Sequence, residues 1–198
     1  SKALSIRGLC KTYPDFKLED VSFDVPEGMI VGFVGENGAG KTTVINCILG
    51  TVFPSSGSIR LFGEEVANCD PSYAGDKQFA RLRQAIGIVF DACSFPNDFT
   101  LQKVRTVCAH AYDEWDDTCF LELIDRFSLN LKKEVKDLSR GMGMKLSLAC
   151  ALAHHPTLLI LDEATAGLDP LARDEVLAML RELVAEERCS ILMSSHIT

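Results

Sequence analysis

The 198 residues predict an α/β fold with a mainly parallel sheet, an antiparallel β region at the N-terminus and a helical insert. Three observations carry that expectation. The first thirty residues alternate apolar and polar positions, as around Leu18, Val21, Phe23 and Val25, which suits antiparallel strands with one solvated face. From Met29 onward, short apolar runs alternate with stretches of helical periodicity, the pattern of a doubly wound core. Between Phe99 and Lys136 the periodicity is helical throughout, which marks an insertion.

In chain order, Met29 to Val34 is a compact apolar run, expected of a parallel strand buried on both faces. A helix begins near Lys41 and Gly50 closes it. Pro54 to Gly57 is a turn cluster, Ser58 to Phe62 a second short strand, Asn68 to Asp76 an exposed loop and Ile86 to Phe90 another strand. Within the insert, Leu101, Val104, Val107 and Cys108 share one helical face, and Phe120, Leu121, Ile124 and Phe127 another. Asp113 to Asp117 around Trp115 reads as a solvated helix junction with one anchoring aromatic and no chemical role. Leu138 to Ala153 is a helix, Leu158 to Leu161 a buried strand, Pro170 to Glu186 an amphipathic helix opened by proline, and Ser190 to Met193 a strand. Nothing repeats and no low-complexity linker intervenes. The expected organisation is one domain over residues 1–198, with a helical subdomain at about 93–155 inserted in the α/β core.

Composition narrows the function. No apolar stretch reaches the roughly 18 residues of a membrane span, because Leu146 to Leu161 is broken by His154, His155 and Pro156. Ser1 to Thr12 reads as a strand with scattered charges and not as a signal peptide. A net charge of −8 opposes a nucleic-acid surface, so no nucleic-acid partner is expected. Eight cysteines without a C-x-x-C pair or zinc spacing predict free thiols in a reducing cytoplasm, with Cys47 and Cys150 in the core.

The strongest local signal is Gly35-Glu36-Asn37-Gly38-Ala39-Gly40-Lys41-Thr42, which matches the phosphate-cradling pattern G-x-x-x-x-G-K-[ST]. The strand before it and the helix after it supply the context that pattern requires, making the core that of a P-loop NTPase. Gly35, Gly38 and Gly40 let backbone N–H groups converge on phosphate oxygens, and the helix adds its positive dipole end. Lys41 is placed to neutralise the outer phosphates, and Thr42 to ligate Mg2+ beside them. ATP and Mg2+ are therefore the expected ligands. A second signal is the buried run Leu158 to Leu161 followed by Asp162-Glu163, two acids at the carboxyl edge of the sheet. Asp162 can hold the metal through its shell, and Glu163 can orient or deprotonate a water aimed at the γ-phosphate. The plain alternative is two acids that end a strand and open a turn.

With these elements in place, Leu138-Ser139-Arg140-Gly141-Met142 is similar to the Leu-Ser-Gly-Gly-Gln signature of the ATP-binding cassette (ABC) ATPases, and the whole chain resembles that family. Ser139 is a good N-cap and Gly141 keeps the helix start open to a phosphate. The resemblance implies that Asn37, Ala39 and Thr43 join the nucleotide-binding loop, and that Tyr13 stacks on adenine, although an exposed turn residue before Pro14 would read the same way. It implies that Gly167-Leu168-Asp169 lies where two ATPase subunits meet, and that His196 is a switch histidine contacting the γ-phosphate. His154 and His155 have no such match and are expected at a solvated helix end.

Several positions depart from the pattern. Asp91 stands where most members have Gln on the metal side, Arg140 and Met142 replace Gly and Gln, and Ala164 replaces Pro. The strings Val-Phe-Asp, Leu-Ser-Arg-Gly-Met and Ser-Ser-His-Ile-Thr resemble a bacterial branch of type-2 exporters. The chain stops at Thr198, just past the switch, where members usually continue, so a truncated C-terminal end is expected.

The resemblance thus implies an ATP-hydrolysing subunit that works as a nucleotide-sandwich dimer, with Ser139 and Gly141 of one subunit closing over ATP held by the other. A separately encoded transmembrane permease, met by the helical insert, would place it on the inner face of the cell membrane. The alternatives are a soluble ABC ATPase, for instance in metal-cluster assembly, or a nucleotide-sensing module that does not hydrolyse ATP.

Overall fold

Alternating apolar positions draw the N-terminal residues into two long strands, β1 (Lys2–Thr12) and β2 (Lys17–Pro26), paired antiparallel. The computed structural model describes residues 1–35, 40–67, 77–186 and 189–196; the loop expected at Asn68 to Asp76, with Asn37, Gly38 and Ala39, lies outside them. Two further strands, β4 (Ser56–Leu61) and β5 (Glu64–Ala67), complete an antiparallel sheet. The second sheet is built from β3 (Ile30–Gly35), β6 (Ile86–Phe90), β7 (Leu158–Asp162) and β8 (Ser190–His196). Its order is β3-β8-β7-β6 with every pairing parallel, against β2-β1-β4-β5 in the first sheet.

The helices are α1 (Lys41–Ile48), α2 (Lys77–Gln84), α3 (Leu101–Ala111), α4 (Asp117–Arg126), α5 (Arg140–Leu152) and α6 (Pro170–Ala185). Short polar side chains start four of them: Thr100, Asp116, Ser139 and Asp169 each accept a hydrogen bond from the backbone N–H three residues on. Asp116 and Asp117 thus serve structure, Asp116 as a cap and Asp117 as the partner of Arg105 and the Trp115 indole N–H.

Strand β7 holds the molecule's centre. Leu158 and Ile160 face a cluster shared with β1, β4 and α1, while Leu159 and Leu161 face one shared with α5 and α6. All four are fully buried, each contributing about 1.5–3 kcal/mol. A third cluster lies in the insert, where Leu101, Val104, Phe120 and Ile124 pack on Leu146, Ala149 and Cys150 of α5.

Three expectations need correction. Strand β3 is not buried on both faces: its pairing partner is β8, and Ile30 and Val34 are exposed while Val31 and Phe33 pack inward. Among the described residues no element covers its outer face. Strand β5 and helix α2 were not expected; α2 has only Phe79 and Leu82 as large apolar anchors, too few for a visible period, yet both are buried. His154 is not solvated but 3% exposed, stacked on Tyr112 at 3.9 Å, with Nε2 3.1 Å from the Ile86 carbonyl. Burial holds its pKa below the usual histidine value. His155 does lie at the exposed helix end, paired with Asp116 at 2.8 Å.

Candidate nucleotide site

Parallel pairing sets the carboxyl ends of the four strands in register along one edge. Gly35 at the end of β3 pairs with His196 of β8, Ser194 of β8 with Asp162 of β7, and Asp162 with Phe90 of β6. Asp91 follows Phe90, so it lies one residue beyond a register partner of Asp162. Residues separated by a hundred positions in sequence therefore share one sheet edge, where open α/β folds take ligands.

The loop's exit is fixed by packing. Gly40 caps α1 with φ 91°, and a side chain there would press on Leu18 and Phe16, at 2.6 and 3.0 Å. The left-handed φ favours glycine, and any side chain there would also have to displace the ends of those two residues. Phe16 in turn pairs with the Tyr13 ring at 6.4 Å, so the turn carrying half-exposed Tyr13 lies against the start of α1. Thr42 is exposed in the first turn of α1 and Thr43 half-buried.

Lys41 is 5% exposed, with its ammonium donating to the Gly35 carbonyl and standing 3.9 Å from Glu163. An ammonium withdrawn this far from water needs such partners, since an unpaired one would cost several kcal/mol. Asp162 is 8% exposed and accepts a hydrogen bond from Ser194 Oγ at 2.7 Å. The backbone N–H of Glu163 donates to that same Oγ at 3.1 Å. Glu163 has φ 52°, a left-handed backbone uncommon outside glycine, which turns the chain sharply after β7. Ser194 is thus a site residue that no motif in the sequence singles out. The backbone of His196 is placed by its strand, while its side chain lies outside the described residues.

Thr42, Asp162 and Asp91 offer hydroxyl and carboxylate oxygens, the hard donors that suit Mg2+. Among the described residues no group of three or more His, Cys, Asp or Glu forms a metal cage.

Ser139 and Gly141 open α5, with the Ser139 hydroxyl accepting from Met142 N–H at 3.2 Å. A side chain at Gly141 would touch Leu168 at 3.5 Å, so the Gly167-Leu168-Asp169 loop packs directly on this helix start. Asp91 pairs with Arg140 at 3.9 Å. No described helix is long and apolar enough to cross a membrane.

Residues 18–166 match the ABC transporter family. A Nod factor export ATP-binding protein of Rhizobium leguminosarum is 35% identical over 201 residues, covering 98% of this chain and 61% of that protein. A methionine import ATP-binding protein of Acinetobacter baylyi is 30% identical over 216 residues, covering 98% of this chain and 56% of that one. A solved structure of the ATP-binding subunit of an ABC transporter superposes with a TM-score of 0.82 at 30% identity, covering 98% of this chain and 80% of that chain. The chain spans about three fifths of the length of the first curated relatives it matches.

Proposed function

The chain belongs to the ABC transporter family as an ATP-binding subunit, and on that footing we propose that it binds and hydrolyses MgATP at the sheet edge described above. The observation that carries this reading is the convergence of Lys41 and Glu163, 3.9 Å apart, at the joint end of β3 and β7. The Lys41 ammonium neutralises phosphate charge, the N-terminus of α1 adds backbone donors, and Tyr13 stacks on the base. Gly35, Asn37, Gly38, Ala39 and Gly40 wrap the phosphates, with Thr43 beside them. Glu163 takes the proton of the attacking water, and His196 contacts the γ-phosphate. Thr42, Asp162 and Asp91 would hold Mg2+, which would supply charge neutralisation on the phosphate oxygens.

Two subunits act together in this reading. Ser139 and Gly141 of one close over the γ-phosphate held by the other, so that binding drives closure and hydrolysis drives opening. Their place on an exposed helix start, packed on the Gly167-Leu168-Asp169 loop, supports that geometry. The residue 93–155 insert meets a separately encoded membrane subunit, which holds the ATPase at the inner face of the membrane. The choice of export over import rests on the signature and switch strings, since relatives named for either direction are similar to this chain.

Glu163→Gln is the decisive variant. It should retain ATP while turnover falls by about 10² to 10⁴, the usual contribution of a positioned base. In MgATP the full-length variant should elute as a dimer on size exclusion. Unchanged turnover would remove Glu163 from the reaction, and a persistent monomer would remove the sandwich.

A further inference from the structure

The structure brings together two positions that depart from the family resemblance, one just after β6 and one at the start of α5. Where members usually carry neutral Gln and Gly, this chain carries Asp91 and Arg140, opposite charges 3.9 Å apart with side chains 57% and 56% exposed. We propose that Arg140 is a positioning residue which holds the Asp91 carboxylate in an ion pair, so that MgATP must compete with Arg140 for Asp91. The proposal rests on the nucleotide-site reading above and adds a control on its metal dependence.

The packing of α5 makes this pair more than a chance reach of two surface side chains. One turn after Arg140, a side chain at Gly143 would come within 3.2 Å of the Cys93 Cβ, so the start of α5 is pressed against the segment leaving β6. Arg140 and Gly143, at i and i+3, share that face. On its other side, the guanidinium packs beside Gly167, where an added Cβ would stand 2.8 Å from it. Arg140 therefore bridges the Asp91 segment and the Gly167-Leu168-Asp169 loop.

Electrostatics assign the pair its role. A cation in the first turn of a helix faces the positive end of the dipole, an unfavourable place that the Asp91 charge offsets. Asp91 in turn lies one residue beyond a register partner of Asp162, at the edge where the proposed function puts the metal. Its carboxylate thus has two alternative partners, a guanidinium and a divalent cation. An ion pair this exposed is weak, which is what a contact broken by ligand requires. When Asp91 turns to the metal, Arg140 is released beside the loop expected to meet a second subunit.

The test is equilibrium binding of a fluorescent ATP analogue to the full-length protein, in Mg2+ and in EDTA, for the native chain, Arg140→Gln, Asp91→Asn and the double variant. Freeing Asp91 should raise the ratio of affinity in Mg2+ to affinity in EDTA by about 2- to 5-fold in Arg140→Gln, the size of an exposed pair. Arg140→Lys should keep the native ratio. In the Asp91→Asn background the Arg140 change should leave the ratio where Asp91→Asn alone puts it. An unchanged ratio in Arg140→Gln overturns the proposal, as does an equal effect with and without Asp91, which would mean a general charge effect. A native chain that binds no ATP overturns the nucleotide-site reading itself, whereas native binding with an inert Arg140→Gln overturns only the competition.

Discussion

His154 shows how a single side chain evades sequence reading. Its neighbours His155 and Pro156 suggest an exposed helix end, and that holds for His155, but one residue earlier the ring turns inward onto Tyr112 and the Ile86 carbonyl. Burial outweighs its two carbonyl contacts and favours the neutral ring, with a folded pKa below the ordinary histidine value of about 6.5. Below that value the unfolded chain takes up a proton that the folded chain refuses, so stability falls as pH drops from 6.5 through the folded pKa. His154→Gln, which never charges, should show a shallower loss between pH 7 and 5 by urea unfolding; the difference is bounded by about 1.4 kcal/mol per pH unit. Equal slopes would place the acid sensitivity elsewhere. Lys41, Asp162 and Glu163 were legible because the chemistry of phosphate binding restricts residue type and spacing together. Ser194 was not, because one hydroxyl on a strand carries no spacing of its own.

At the level of elements, legibility followed the number of buried faces. Strand β6 and the Leu158 to Leu161 run of β7 are apolar and legible in the sequence, as are the capped helices of the insert. Helix α2 is not legible in the sequence, because Phe79 and Leu82 are its only large apolar residues and its fold comes from what they touch. One contact identifies that partner: Gly50, which ends α1 with φ 71°, lies so close to Phe79 that a side chain would come within 2.3 Å of the ring. Sequence reading had the cap but not the second constraint. Gly50→Ala should therefore cost more than the roughly 1 kcal/mol of a simple left-handed cap, about 2–4 kcal/mol once Phe79 is displaced. Denaturant unfolding measures this, and Gly50→Ala with Phe79→Leu should recover part of the loss. No recovery would mean that backbone strain alone sets the cost.

For the molecule as a whole, parallel register explains why the candidate site could be read from scattered motifs: once the strands pair, their carboxyl ends have only one edge to share. What pattern alone could not supply was the way the insert joins the core. Helix α5 contributes Met144, Leu148, Ala151 and Leu152 to the cluster under β7, and Leu146, Ala149 and Cys150 to the cluster within the insert. A helix that belongs to two cores has no boundary along which they can melt apart. Phe120→Ala, a fully buried ring far along the chain from β7, should cost about 3–5 kcal/mol and lower the melting temperature of both regions together. Scanning calorimetry should record one transition whose van't Hoff and calorimetric enthalpies agree. Two resolved transitions would mean that the insert unfolds alone. Shared in this way, α5 ties the insert stiffly to the core: on the proposed function, a displacement at the nucleotide edge would find no soft joint to absorb it and would reappear at the far end of the insert.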